Sequence, residues 1–181
     1  MARLLDAVVV VDLEATCWEG DPPQGEQPEI IEIGLCTVSV ASGERMARES
    51  ILVRPLRSTV SAYCTRLTTL TQEQVDGGIT FADACARLKK VYLTKERVWA
   101  SYGDYDRRQF ERQCQEQGVA YPFGPGHLNV KTLFALTHAL PREVGMDEAL
   151  RLLNLPLEGI HHRAGDDAWN IGLILSRLLR R

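Results

Sequence analysis

Asp12 and Glu14 close the apolar run Ala7-Val8-Val9-Val10-Val11-Asp12-Leu13-Glu14. A stretch dominated by valine reads as a buried strand, and side chains alternate along a strand with period two. Two carboxylates therefore leave the same face at the point where the strand ends. Like charges held that close are costly to desolvate and repel each other, so the pattern calls for cations to neutralise them. Hard divalent ions with oxygen ligands are the natural candidates, Mg²⁺ first. A lone D-x-E is common, however, and gains meaning only if other acids can meet it in space.

Two further acidic places stand at element junctions. Ser101-Tyr102-Gly103-Asp104-Tyr105-Asp106-Arg107 follows one strand and opens a helix, and Asp106 there has an alternative role as an N-cap. His161-His162-Arg163-Ala164-Gly165-Asp166-Asp167 leads into the last helix, where either aspartate would also suit the helix dipole. Each bland role is plausible by itself, but their conjunction with Asp12 and Glu14 points to one site.

The elements that must position these residues follow from periodicity. Strands are predicted over residues 7–14, 30–38, 45–53, 97–101 and 128–130, the first three as an antiparallel meander. Short helices are predicted near 61–66 and 71–75, with Thr71 and Gln74 spaced as a capping box. Longer helices cover about 80–93, 107–117, 131–140, 146–153 and 165–180. The later alternation of strand and helix indicates parallel strands, giving an α/β class with a mixed sheet and a ligand site at the strand ends.

Length and composition bound the rest. The chain has 181 residues, 45% of them hydrophobic, which suits one domain spanning 1–181. No run approaches the roughly 20 apolar residues of a membrane span, and Asp6 interrupts the N-terminal segment, so no membrane association and a cytoplasmic location are expected. Cys17, Cys36, Cys64, Cys85 and Cys114 are odd in number and scattered, which argues for reduced thiols rather than disulfides or a zinc knuckle. The formal charge of −3 does not advertise a nucleic-acid binder, although neutralising four site acids would bring the remaining surface near zero.

Taken together, Asp12-x-Glu14 on the first strand, an acid after the fourth strand and His-x4-Asp at the last helix resemble the DEDDh branch of 3′-to-5′ exonucleases. The phrases Asp12-Leu13-Glu14-Ala15-Thr16-Cys17, Leu67 to Val75 and Tyr105-Asp106 through Phe110 to Cys114 are similar to its enhanced-RNAi and histone-mRNA exonuclease group. The resemblance spans residues 7 to about 178 and implies a ribonuclease H-like five-stranded mixed sheet flanked by helices.

It also implies roles. Asp12, Glu14, Asp106 and Asp167 would bind two Mg²⁺ ions, with Mn²⁺ able to substitute, Glu14 or Asp12 would bridge them, and Glu14 would also take part in catalysis. His162 would be the general base. Among the doubled residues the resemblance selects Asp106 over Asp104, through Tyr105 and Phe110, and His162 with Asp167 over His161 with Asp166, through Asn170.

Ala15, Thr16, Trp18, Tyr63 and Arg163 are the candidate substrate contacts, the aromatics by stacking on bases and the arginine by meeting phosphate. Arg107, Arg108 and Lys131 are further cations near the site. The expected partner is a single-stranded nucleic-acid 3′ end, RNA favoured. DNA, short oligonucleotides or a non-catalytic adaptor role on the same fold are the alternatives, and the sequence leaves protein partners open.

Overall fold

The computed structural model describes residues 3–180. Its five strands are β1 (Leu4–Ala15), β2 (Ile30–Ser39), β3 (Arg45–Leu52), β4 (Arg97–Ser101) and β5 (His127–Asn129). Its helices are α1 (Ala62–Thr68), α2 (Gln72–Asp76), α3 (Phe81–Tyr92), α4 (Tyr105–Gln117), α5 (Val130–Thr137), α6 (Met146–Leu152) and α7 (Ala164–Leu179). The sheet order is β3-β2-β1-β4-β5. β1, β2 and β3 pair antiparallel, whereas β4 runs parallel to β1 and β5 parallel to β4.

The unbroken apolar run of β1 is explained by helices on both sides of the sheet. Val9, Val11 and Leu13 pack into a core with Phe81, Leu88 and Phe110 of α3 and α4. Val8 and Val10 face the opposite way, onto Phe134 of α5 and Ala168, Ile171 and Leu175 of α7. Each valine so buried contributes about 1.5–3 kcal/mol. By the same alternation Asp12 and Glu14 continue the face that meets α7.

α7 lies unusually close to the sheet. A Cβ added at Gly34 of β2 would fall 1.8 Å from the Ala164 carbonyl oxygen, and one at Gly172 would fall 2.5 Å from Cys36 Sγ. Gly34 therefore excludes any side chain, one at Gly172 would have to displace the Cys36 thiol, and the N-terminus of α7 is pressed against β2 beside the end of β1.

Most boundaries lie within two residues of those predicted, and the capping box at Thr71 and Gln74 is present. β1 starts at Leu4, three residues before the predicted strand, α5 ends at Thr137, three residues short of the predicted helix, and one junction shifts. Val130 is the first residue of α5 rather than the last of β5, because the Asn129 side chain accepts the Thr132 N–H at 3.1 Å and caps the helix there. Among the described residues no helix is long and apolar enough to cross a membrane.

Candidate active site

At the carboxyl ends of β1 and β4 the chain forms a cleft of about 270 Å³. Asp12, Leu13, Glu14, Asp106, His161, His162 and Asp167 line it, walled by Tyr102, Tyr105, Met146 and Ile171. The four acids thus arrive from three separate segments, β1, α4 and α7. One carboxylate oxygen from each of Asp12, Glu14 and Asp167 lies within 4.8 Å of the others. Asp106 sits in the first turn of α4, is 5% exposed, and accepts hydrogen bonds from its own N–H and that of Leu13.

The doubled acids separate cleanly. Asp104 occupies the N-cap position of α4 without a side-chain cap bond and pairs with Arg107 at 3.2 Å. Asp166 turns away to Arg48 and to the Ile160 N–H, 2.7 Å distant. Both histidines, in contrast, reach the cleft. Their rings stack with centroids 4.0 Å apart, His161 Nδ1 lies 3.2 Å from Asp167 Oδ1, and the backbone N–H of His162 donates to Asp167 Oδ2 at 3.0 Å. His162 holds a left-handed backbone with φ 64°, a conformation that costs an L-residue about 1–2 kcal/mol.

Electrostatics shows what the acids lack. Burial, then repulsion from Asp167, Glu32 and Asp106, pushes Glu14 up from 4.5 to about 8. Burial pushes Asp106 up from 3.8 to about 7, against the two backbone hydrogen bonds. Asp12 is raised by burial and then by Asp106, Asp167, Glu14 and Glu32, and Asp167 is raised chiefly by burial. Such a set, all oxygen and crowded, fits hard divalent cations.

A pH dependence follows from these directions. The folded state retains protons that the unfolded chain has released, so metal-free stability falls as pH rises from about 4.5 toward 8. Metal-free Tm is expected to drop across that window, and the increment in Tm on adding Mg²⁺ to grow. Scanning calorimetry with and without Mg²⁺ checks this, and a pH-independent increment would contradict it.

Glu32 was not among the residues singled out from the sequence. It sits across the β1–β2 pair from Glu14, is 1% exposed, and takes the Arg163 Nε and Nη2 donors at 3.2 and 3.0 Å. It also accepts from Ser50 Oγ and, at 2.9 Å, from the Ala164 N–H, one of the unpaired donors at the start of α7. Glu32 therefore fastens the α7 terminus to the sheet and places Asp167 opposite Asp12 and Glu14. Its signal in the sequence was a charge inside the β-branched run Ile30-Ile31-Glu32-Ile33, where burial demands a partner. Glu32→Gln, which removes the carboxylate charge facing Arg163 and one of the two acceptor oxygens of this clamp, is expected to weaken divalent-cation binding about 10–100-fold by calorimetry. Unchanged affinity would refute that role.

The candidate substrate contacts lie outside the cleft lining. Arg163 directs its guanidinium to Glu32. Thr16 is fully buried, and its hydroxyl donates to the Gln27 carbonyl oxygen at 3.2 Å while accepting the Glu29 N–H at 2.9 Å. Ala15 is 7% exposed, Trp18 is half-buried, and Tyr63 is half-buried with Arg66 5.7 Å above its ring. Of the two tyrosines that wall the cleft, Tyr105 is the more open, 58% exposed.

Comparison with known proteins bears on the family and the fold. The family described as "Exonuclease" matches residues 9–175. The 3′-5′ exoribonuclease 1 of Homo sapiens is 30% identical over 188 residues, covering 97% of this chain and 53% of the relative. The 3′-5′ exonuclease Snipper of Drosophila melanogaster is 27% identical over 195 residues, covering 96% of this chain and 69% of the relative. The nuclease domain of 3′hExo, described as a DEDDh family member bound to rAMP, superposes with a TM-score of 0.88 at 28% identity, covering 99% of this chain and 94% of that one. The chain spans between about half and two thirds of the length of these two curated relatives. It belongs to the exonuclease family, in the DEDDh branch of 3′-5′ exonucleases that its acidic motifs resemble.

Proposed function

We propose that the chain hydrolyses the terminal phosphodiester of single-stranded nucleic-acid 3′ ends, RNA in preference to DNA, releasing 5′-mononucleotides one at a time. The observation that carries this is the meeting of four acids from β1, α4 and α7 in one cleft at the strand ends. The names of the relatives, two of which specify RNA or rAMP, support the preference for RNA.

Asp12, Glu14, Asp106 and Asp167 would hold two Mg²⁺ ions, for which Mn²⁺ would substitute. When bound, such a pair activates the attacking water and stabilises the leaving 3′ oxygen. His162 accepts the water's proton at an imidazole nitrogen. Burial and the neighbouring His161, opposed by Asp167, hold its pKa below the usual 6.5, so it is neutral and competent as a base near pH 7. Tyr105 at the cleft mouth presents a face on which a base can stack.

The test is incubation of 3′- and 5′-labelled RNA and DNA single strands with Mg²⁺, followed by product analysis. Stepwise 3′ shortening of RNA with release of 5′-monophosphates is expected. Binding without cleavage would turn the assignment toward an adaptor, and equal rates on DNA would remove the RNA preference.

A further inference from the structure

The cleft contains a second donor set, one member of which, His161, has no catalytic or metal-binding role in the hydrolytic assignment. His161, His162 and Asp167 each offer one ligand atom, and those atoms lie within 4.8 Å of one another. His161 Nδ1 stands 3.2 Å from Oδ1 and also 3.2 Å from Oδ2 of Asp167. In a tetrahedral site with bonds of about 2.0–2.1 Å, two ligand atoms are separated by roughly 3.3 Å, close to that spacing. A proton now bridges the imidazole and the carboxylate, and a cation of tetrahedral preference can replace it without moving either side chain far. The second imidazole lies alongside, stacked at 4.0 Å and tilted by 25°, with its ligand atom within 4.8 Å of the other two, and a turn of its ring about the side-chain torsions brings a nitrogen lone pair toward the same point.

The chemistry of this set differs from that of the four acids. Two imidazoles and one carboxylate select a borderline transition cation, whereas Mg²⁺ favours an all-oxygen site. Asp167 belongs to both sets, so it cannot serve both fully. We propose that His161, His162 and Asp167 form an inhibitory site for a borderline divalent cation of the Zn²⁺ class, which withdraws Asp167 and His162 from the hydrolytic arrangement. The inhibition rests on the proposed hydrolytic function, but the binding does not.

Co²⁺ serves as a spectroscopic probe because its visible absorption intensifies in a low-symmetry nitrogen and oxygen site. Titration of the metal-free full chain is expected to give such a band, displaced by Zn²⁺, lost in His161→Gln and kept in Glu14→Gln, which damages only the carboxylate set. A band that survives His161→Gln, or that disappears in Glu14→Gln, overturns the proposal. His161 is 43% exposed at its side chain, so the substitution is compatible with folding, checked by circular dichroism.

The activity arm compares each variant with its own Mg²⁺-supported rate. At saturating Mg²⁺, the Zn²⁺ concentration for half-inhibition should rise at least about tenfold in His161→Gln, in line with loss of one ligand. An unchanged value would mean that Zn²⁺ acts at the carboxylates alone and would sink the inhibitory site. If no variant cleaves nucleic acid, the hydrolytic assignment fails while the Co²⁺ spectra still decide whether the site exists.

Discussion

Asp12→Asn is expected to lower the rate of RNA 3′ shortening by on the order of 10³-fold while raising the Tm of the metal-free protein. The two effects share one cause. Asp12 is held in its costly position by the fold, with burial and then the charges of Asp106, Asp167, Glu14 and Glu32 all opposing ionisation. An amide keeps the shape and removes the repulsion, which stabilises the chain without cations. It also removes a ligand, and losing one preorganised charge from a site that stabilises phosphoryl transfer costs about 10²–10³-fold or more. This opposition of activity and stability is expected where a site stores destabilisation for function. Calorimetry in chelator alongside single-turnover kinetics reads both. A variant that loses Tm together with activity would show that Asp12 stabilises the fold, against the account.

The second large effect falls on His162. His162→Gln is expected to reduce kcat about 10²–10⁴-fold, the range associated with a positioned proton acceptor. Mg²⁺ affinity by calorimetry should stay near the wild-type value, since the four acids are untouched. The wild-type pH profile should rise on its acidic side as His162 loses its proton, with that limb below pH 6.5 because burial and His161 lower the pKa more than Asp167 restores it. In the variant the limb should vanish. A retained limb with full activity would move the proton acceptor to another group in the cleft.

The parts legible in the sequence were those governed by local pattern. The valine run of β1 can only be buried on both faces, so its position and the shared face of Asp12 and Glu14 followed from period two alone. The choice of Asp106 over Asp104, and of Asp167 over Asp166, came from the family resemblance rather than from local pattern, and the structure turns the chosen members into the cleft. The β5–α5 junction was read one residue late because the Asn129 cap outweighs the strand preference of Val130.

What stayed hidden was set by contacts between distant segments. Arg163 is 131 residues from Glu32, and nothing local reveals that its guanidinium faces a buried carboxylate rather than open solvent. Thr16 spends its hydroxyl on the returning loop at Gln27 and Glu29. Glu32 itself was absorbed into a strand pattern, although its charge among isoleucines was the available clue. The histidine doublet was read as one functional residue, yet the left-handed turn at His162 brings both rings to Asp167.

The central claim is that Asp12, Glu14, Asp106 and Asp167 share paired divalent cations. Anomalous diffraction from crystals soaked in Mn²⁺ with a nucleoside 5′-monophosphate tests it most directly. The account predicts two anomalous peaks about 3.5–4 Å apart, bounded by oxygens of all four acids. Peaks confined to other surfaces, or an ordered cleft without Mn²⁺ at saturating concentration, would contradict it.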